Sequence, residues 1–483
     1  MELAAIILLP AAASALCWSP FGRRFAAPTT LASAIIVLAL ALGVSMQAAR
    51  LGHFDAAHGW LTCDGLGALI VVLVAMVGTT AAVFSWGYIR LRSRHAHADP
   101  SKEQNYYVLY NLFLMSLFAV PLLANVALMW VAVELTTLLS AFLVGFEDTP
   151  EALEAAWKYV VLTTLGAVLA LLGFLILYWG SRVAGEPPFT WLGLVSAAPR
   201  MPPSLLWPAF LFILVGFGVK VGLVPMHTWL PDAHSQAPAS ICALLSGVET
   251  TTVLYVILRL FPVVGGAAAL DARPWFIGFG LLSVAIATLL LVYVRDFKRM
   301  FAFSTVEHMG IILVAAGLGG AEAHLGAAYQ MTGHAIAKSF CFLAAGALTA
   351  IFGTQEIPAV RGIVKYAPFS ALAFVAGAFA IAGAPPFAIF ISELMILKAG
   401  IDGGHYLVIG LLAFFLVIAF CSILFHVTRM TFGAPRPDTT IAVAPISCGI
   451  ALVVAAIPLV AIGVYLPSIF QGLLRAAAAA MGG

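Results

Sequence analysis

The stretch Phe217-Gly218-Val219-Lys220-Val221-Gly222-Leu223-Val224-Pro225-Met226-His227 sets a lysine inside an apolar run and then interrupts that run with a proline. An ammonium at the centre of a bilayer helix costs about 2.5–3.5 kcal/mol on insertion scales, so such a residue usually faces an internal cavity and has work there. Pro225 breaks the helix, and the backbone groups it frees are tolerated at membrane depth only where protein or trapped water satisfies them. Lys220 therefore reads as an ion-path residue beside a broken helix.

The rest of the chain supplies the membrane that this reading needs. Of 483 residues, 63% are hydrophobic and 9% charged, with a mean hydropathy of +1.07. No soluble domain has that balance, which excludes a soluble enzyme. A hydrocarbon core about 30 Å thick takes about 20 apolar residues per helix. About fourteen segments qualify: 3–18, 27–47, 64–86, 106–123, 125–146, 156–180, 206–227, 238–260, 273–294, 300–320, 324–350, 368–400, 406–430 and 442–466. The fold class expected is an all-α polytopic membrane protein. The first segment lacks a basic leader and runs straight into further spans, so it reads as a helix and not as a cleaved signal. No GxxxxGK[ST] loop suggests a primary pump, and a net charge of +2 gives no reason to invoke nucleic acid.

Cytoplasmic loops carry excess Lys and Arg. Loops after odd-numbered spans hold fourteen of the 23 basic residues, among them Arg23, Arg94, Lys158, Arg295, Lys298, Arg299 and Arg436. Seven, including Arg259, fall on the opposite side, and only Lys220 and Lys338 lie within the membrane. Both termini are thus expected outside the cytoplasm. Cys17, Cys63, Cys242, Cys341, Cys421 and Cys448 are scattered singly, as small core residues would be. Iron–sulfur or zinc centres need clustered thiolates, so no metal site or cofactor is expected in this chain and any redox chemistry belongs to a partner.

Glu134, Glu249 and Glu393 lie within spans, and His334 and Lys338 share one. In Trp130-Val131-Ala132-Val133-Glu134-Leu135-Thr136-Thr137-Leu138-Leu139-Ser140, Thr137 stands one turn from Glu134 on a polar, inward face. Glu134 could merely hold helices together by hydrogen bonds, but an intramembrane carboxylate within reach of Lys220 reads first as functional. Gln330, His334 and Lys338 recur at i, i+4 and i+8, a stripe about 12 Å long that can hold a water chain. Gly383-Ala384-Pro385-Pro386-Phe387 interrupts a second helix 160 residues beyond Pro225, with Glu393 two turns further on. Paired interruptions with nearby charges point to a repeat-built transporter. His227-Thr228-Trp229-Leu230-Pro231-Asp232-Ala233-His234 has no metal-motif spacing and reads as a tight turn whose His227 and His234 line the mouth of the Lys220 cavity. Arg295 to Arg299 reads chiefly as a topology and headgroup anchor, and Glu307 and His308 could join the path.

With these residues in view, Trp130 to Ser140, Gly216 to Ser246, Asp296 to Gly310, His334 to Gly346 and Gly383 to Leu397 resemble the signature segments of the antiporter-like, proton-conducting membrane subunits of complex I and its relatives. The wording of Glu154 to Tyr159, Val224 to His234 and Val306 to Gly310 is most similar to component F of hydrogenase-4 and formate hydrogenlyase-type complexes. The chain closes near the fourteenth span, without the long lateral helix of the subunit L type. The resemblance implies N-terminal helices over 1–105, inverted five-helix repeats over 106–262 and 263–432, and a last helix in 433–483. It implies Glu134 and Lys220 as the pair of the first half, His334 and Lys338 on helix 11, and Glu393 as an acidic variant on helix 12. It further implies partner membrane subunits, a peripheral redox arm carrying Fe–S and Ni–Fe or flavin centres, and the cytoplasmic membrane of a bacterium or archaeon.

One departure stands out. The family often carries a lysine on helix 8, and Thr251 occupies that position here. Glu249 is two residues away, about 200° around a regular helix, so it is not expected on the same face. The expected mechanism is electrostatic: separating Glu134 from Lys220 lowers the lysine's proton affinity, and the proton passes by water and the helix 11 stripe toward Glu393. The alternatives from other classes are a Na⁺/H⁺ antiporter subunit, a subunit of proton-driven inorganic carbon uptake, and a scaffold without flux.

Overall fold

The computed structural model describes residues 1–20, 22–95, 100–185, 187–265, 271–435 and 441–482. Arg436 lies outside them, as do the side chains of Arg23 and Arg94. In hydrocarbon only a helix or a closed barrel satisfies its own backbone, and the apolar runs accordingly form helices. The N-terminal part comprises α1 (Glu2–Trp18), α2 (Gly22–Leu51), strands β1 (His53–Ala56) and β2 (Leu61–Asp64), α3 (Gly65–His95) and α4 (Pro100–Leu122). Next come α5 (Val126–Val144), α6 (Pro150–Val183), α7 (Trp191–Ala197), α8 (Pro203–Val221), α9 (Trp229–Gln236) and α10 (Ala239–Leu244). A π-helical turn over Leu245–Glu249 joins α10 to α11 (Thr250–Gly265). Then follow α12 (Arg273–Tyr293), α13 (Phe297–Leu318), α14 (Ala321–Phe352), α15 (Ile363–Tyr366), α16 (Pro368–Ile381) and α17 (Ala388–Asp402). The chain closes with α18 (Tyr406–Phe432), α19 (Ile446–Val464) and α20 (Ser468–Ala480).

Twelve helical stretches among the described residues are long and apolar enough to cross a membrane, so the chain is a multi-pass membrane protein. The other two expected spans are shorter pieces: α1, and α16 with α17 on either side of the second break. Two features were not anticipated. β1 and β2 pair antiparallel between α2 and α3, and α20 follows the last expected span.

Burial is graded across the molecule. The apolar core of the stretch Ala239–Val264 is 100% buried and that of Phe297–Leu318 94%, against 22% for Tyr406–Phe432. Hence Cys421, on α18, is exposed, whereas the other five cysteines are buried as expected of core residues. Close helix pairs inside this frame depend on glycine, as small residues let backbones approach. A Cβ on Gly166 of α6 would stand 2.5 Å from the Gly216 carbonyl oxygen of α8, and one on Gly216 would stand 2.4 Å from that of Gly166. Gly280 and Gly310 join α12 to α13 in the same way, at 2.7 and 2.6 Å.

Two basic residues assigned to loops are in fact part of the interior. Lys298 is 3% exposed, and its ammonium donates to the carbonyls of Ser235 (2.8 Å) and Ala237 (2.7 Å), where α9 ends. The last carbonyls of a helix have no intrahelical donor and carry its negative dipole end, so a lysine fits there. Asp296 caps α13, accepting from the backbone N–H groups of Lys298 and Arg299 at 2.7 and 2.9 Å. Of the expected headgroup anchor, Lys298 is thus an internal clamp, while Arg299 reaches Asp232 at 2.7 Å. Arg259 likewise points inward and forms a bidentate pair with Asp64, with Tyr255 beneath its guanidinium. Burial of the Asp64 carboxyl opposes its ionisation, but Arg259 outweighs that and holds its pKa below the ordinary value. The pair therefore contributes stability above the unfolded-state carboxyl pKa of about 3.9 and loses it as pH falls through the lowered native value.

Two measurements follow. Asp64→Ala strands a largely buried guanidinium and is expected to cost about 3 kcal/mol, read as a lower thermal midpoint in detergent that Asp64→Leu/Arg259→Met largely restores. Lys298→Met is expected to lower the midpoint by an amount corresponding to about 1–2 kcal/mol, independently of anionic lipid; a midpoint that responds only to lipid composition would return Lys298 to the headgroup role.

Candidate functional site

Lys220 occupies the last turn of α8, ahead of Gly222, whose φ of +84° forms the left-handed cap that ends the helix. The break that follows is satisfied by side chains. The Val224 N–H donates to Ser283 Oγ (3.0 Å), and the Trp229 indole donates to the Val219 carbonyl (2.7 Å). The ammonium lies 3.0 Å from Glu249 Oε1, with both side chains at most 2% exposed. It also donates to Thr137 Oγ1 and lies 3.5 Å from the Tyr159 hydroxyl. Glu249 Oε1 further accepts from Thr136 (3.1 Å) and Tyr159 (3.0 Å), and Tyr159 shares a 2.8 Å hydrogen bond with Ser140.

This corrects the expected pairing. Glu134 is half-buried on the same face of α5 as Thr137, but its Oε1 is buried without a hydrogen-bond partner, and Glu249 is the residue in ion-pair contact with Lys220. The reason lies in the backbone between α10 and α11. A π-helical turn over Leu245–Glu249 shifts the phase of Glu249 relative to α10, and Glu249 faces Lys220 without sharing the position of Thr251. Thr251 itself donates to the Gly247 carbonyl of its own helix at 3.0 Å.

The polar groups of α13 and α14 lie close together. Gln330, His334 and Lys338 are all 0% exposed on α14. His334 Nε2 stands 2.9 Å from the Ser246 carbonyl, and Ser246 Oγ is 2.6 Å from Thr305. Lys338 donates to the Phe301 carbonyl (2.8 Å) and to Ser304 Oγ. Gln330 Nε2 lies 3.2 Å from His308 Nδ1, and its oxygen accepts from Ser392. His308 bonds by Nε2 to the Ile381 carbonyl (3.1 Å), at the end of α16 where Pro385 and Pro386 break the helix, and its ring centroid is 5.3 Å from that of His334. Glu307 is 3% exposed, with Oε2 unpartnered. Glu393 folds back on the break: a Cβ at Gly383, whose φ is +74°, would stand 2.4 Å from its Oε2. Glu307 and His308 are therefore interior residues of this group.

The segment after Pro225 is not a tight turn. Residues 229–236 form α9, which buries His234 at 0% exposure. Its Nδ1 is 2.7 Å from the Leu230 carbonyl, its ring rests on Phe342 of α14 at 5.4 Å, and its Nε2 has no partner. His234 thus stands against α14, while His227 stays half-buried at the break. Lys158 is at the rim, 2.5 Å from Glu154 and 3.5 Å from Asp232. Sequence reasoning did not single out Tyr159, Thr136, Ser246, Ser304 or Ser392 as site residues; the available signal was hydroxyls recurring inside apolar runs. Among the described residues no three His, Cys, Asp or Glu side chains gather as a metal centre requires.

The same framework is found in known proteins. The family described as NADH:quinone oxidoreductase/Mrp antiporter, TM, matches residues 123–420. The hydrogenase-4 component F homolog of Methylacidiphilum infernorum (isolate V4) is 37% identical over 391 residues, 80% of this chain and 82% of the relative. In structure, the chain aligns with one from the archaeal membrane-bound sulfane sulfur reductase at a TM-score of 0.89 and 24% identity, covering 100% of this chain and 98% of that one. It aligns with one from the Mrp complex of Dietzia sp. DQ12-45-1b at 0.87 and 20% identity, covering 99% and 97%. With its charged groups on broken and π-wound helices, and with the family's sequence over 123–420, this chain belongs to the NADH:quinone oxidoreductase/Mrp antiporter family of transmembrane subunits.

Proposed function

We propose that this chain is a proton-translocating membrane subunit of a redox-driven complex of the hydrogenase-4, formate hydrogenlyase or complex I type. The observation that carries the reading is the set of ionisable groups gathered inside the helical framework: half-buried Glu134 with buried Lys220 and Glu249, then buried His334, Lys338, His308 and Glu307 with the amide of Gln330 among them, and Glu393 beside the second break. Intramembrane charges are retained where they do work, and proton relays are a common form of that work. The Lys220 centre supplies a buried ion pair ringed by the hydroxyls of Thr136, Thr137 and Tyr159, an arrangement suited to a proton relay. The two breaks fit a molecule of two inverted halves.

In this reading the subunit holds no redox centre. Fe–S with Ni–Fe or flavin groups sit on a peripheral arm, other membrane subunits flank the chain, and coupling comes from a differential interaction of the arm with two charge states of the path. The excess of basic residues on one side supports a cytoplasmic membrane location with both termini outside the cytoplasm.

The test is proton flux in the purified complex, reconstituted in liposomes under its driving reaction. Lys220→Ala is expected to lower flux at least ten-fold with the complex still assembled; unchanged coupling would remove Lys220 from the mechanism. Flux in wild type is expected to be the same when Na⁺ is replaced by choline. A strict Na⁺ requirement would favour the cation/proton antiporter reading instead.

A further inference from the structure

The π-helical turn Leu245–Glu249 touches both halves of the path. On one side Glu249 meets Lys220, Thr136 and Tyr159. On the other, three residues back along the chain, the Ser246 carbonyl meets His334 and Ser246 Oγ meets Thr305. The first-half site thus contains two carboxylates, Glu134 and Glu249, and one ammonium. Each carboxylate has one buried oxygen without a hydrogen-bond partner, Glu134 Oε1 and Glu249 Oε2.

A charge count follows from that arrangement. Two ionised carboxylates beside one ammonium leave a net negative charge in an apolar interior, which is costly unless a proton neutralises it. With Lys220 on Glu249, the proton belongs on Glu134. Thr137, which accepts from Lys220, is one turn from Glu134 on α5, a rise of about 4.5 Å. The flexible four-carbon stem of a lysine covers that distance without moving a helix.

We propose that Glu249 is a proton-binding residue of the path and that Lys220 alternates between Glu249 and Glu134, which makes the π-turn the connection between the halves. This rests on the proton-translocation reading above. In one state Glu134 is a neutral acid and Lys220 pairs with ionised Glu249. The ammonium then moves to Glu134, whose O–H bond breaks and whose proton leaves, while Glu249 loses its counter-ion and forms an O–H bond with an arriving proton. The site is neutral before and after, and one proton has left at Glu134 as one entered at Glu249. The reverse order carries protons the other way.

Flux and the infrared C=O band of protonated carboxylic acids are the readouts, in the reconstituted complex. Glu249→Gln and Glu134→Gln are each expected to lower flux at least ten-fold, and Glu249→Asp to retain part of it. Both Gln variants should lose the same acid band: Glu134→Gln because the acid is gone, and Glu249→Gln because Lys220 then pairs with Glu134 and ionises it. A merely structural Glu249 would leave that band in place. Wild-type flux with the band retained in Glu249→Gln, while Lys220→Ala stops flux, overturns the role of Glu249 alone; wild-type flux in Lys220→Ala overturns the proton-path reading with it. If Glu249→Gln does not assemble, persistence of the band in Glu134→Gln overturns the proposal, and its loss supports it.

Discussion

A buried ammonium or guanidinium must find acceptors, and four basic side chains in this molecule meet that demand differently. Lys220 has a carboxylate, a threonine hydroxyl and a tyrosine. Lys338 has a carbonyl and a serine, with no carboxylate in ion-pair contact among the described residues. Lys298 closes the end of α9 on two carbonyls, and Arg259 takes a bidentate carboxylate. The last two stabilise the frame. The first two stand among groups that can accept or release a proton, Lys220 beside Glu249 and Lys338 on the same helix as His334.

How much of this was legible in the sequence depended on whether a residue's surroundings follow from chain-local pattern. Lys220, Lys338 and both breaks announce themselves, because a charge or a proline inside an apolar run is anomalous wherever it falls. The Gln330, His334 and Lys338 stripe was readable because α14 is a regular helix, and its three residues do lie buried together. The partner of Lys220 was not readable. It depends on the phase at which Glu249 leaves the π-turn relative to α10, and residue pattern alone does not display a π-turn.

The other misreadings share a cause. Counting Lys298 and Arg259 as loop charges treats every cation at a helix end as solvated, yet both ends are covered by other elements: α9 over Lys298, and the β2 hairpin with Tyr255 around Arg259. Likewise His227 to His234 has the composition of a turn, but Trp229 anchors it by donating to Val219, and the segment winds into α9. Tertiary cover decides such cases, and a single chain read linearly does not display it.

The glycine crossings carry a consequence of their own. Where α6 meets α8 through Gly166 and Gly216, and α12 meets α13 through Gly280 and Gly310, main chains abut with no side chain between them to re-rotamerise. Such junctions act as rivets, since dense interiors resist compression and shift between discrete arrangements rather than creep. Lys220 projects from a helix held in this way, so adjustment around its ammonium falls to the long side chain rather than to the backbone that carries it.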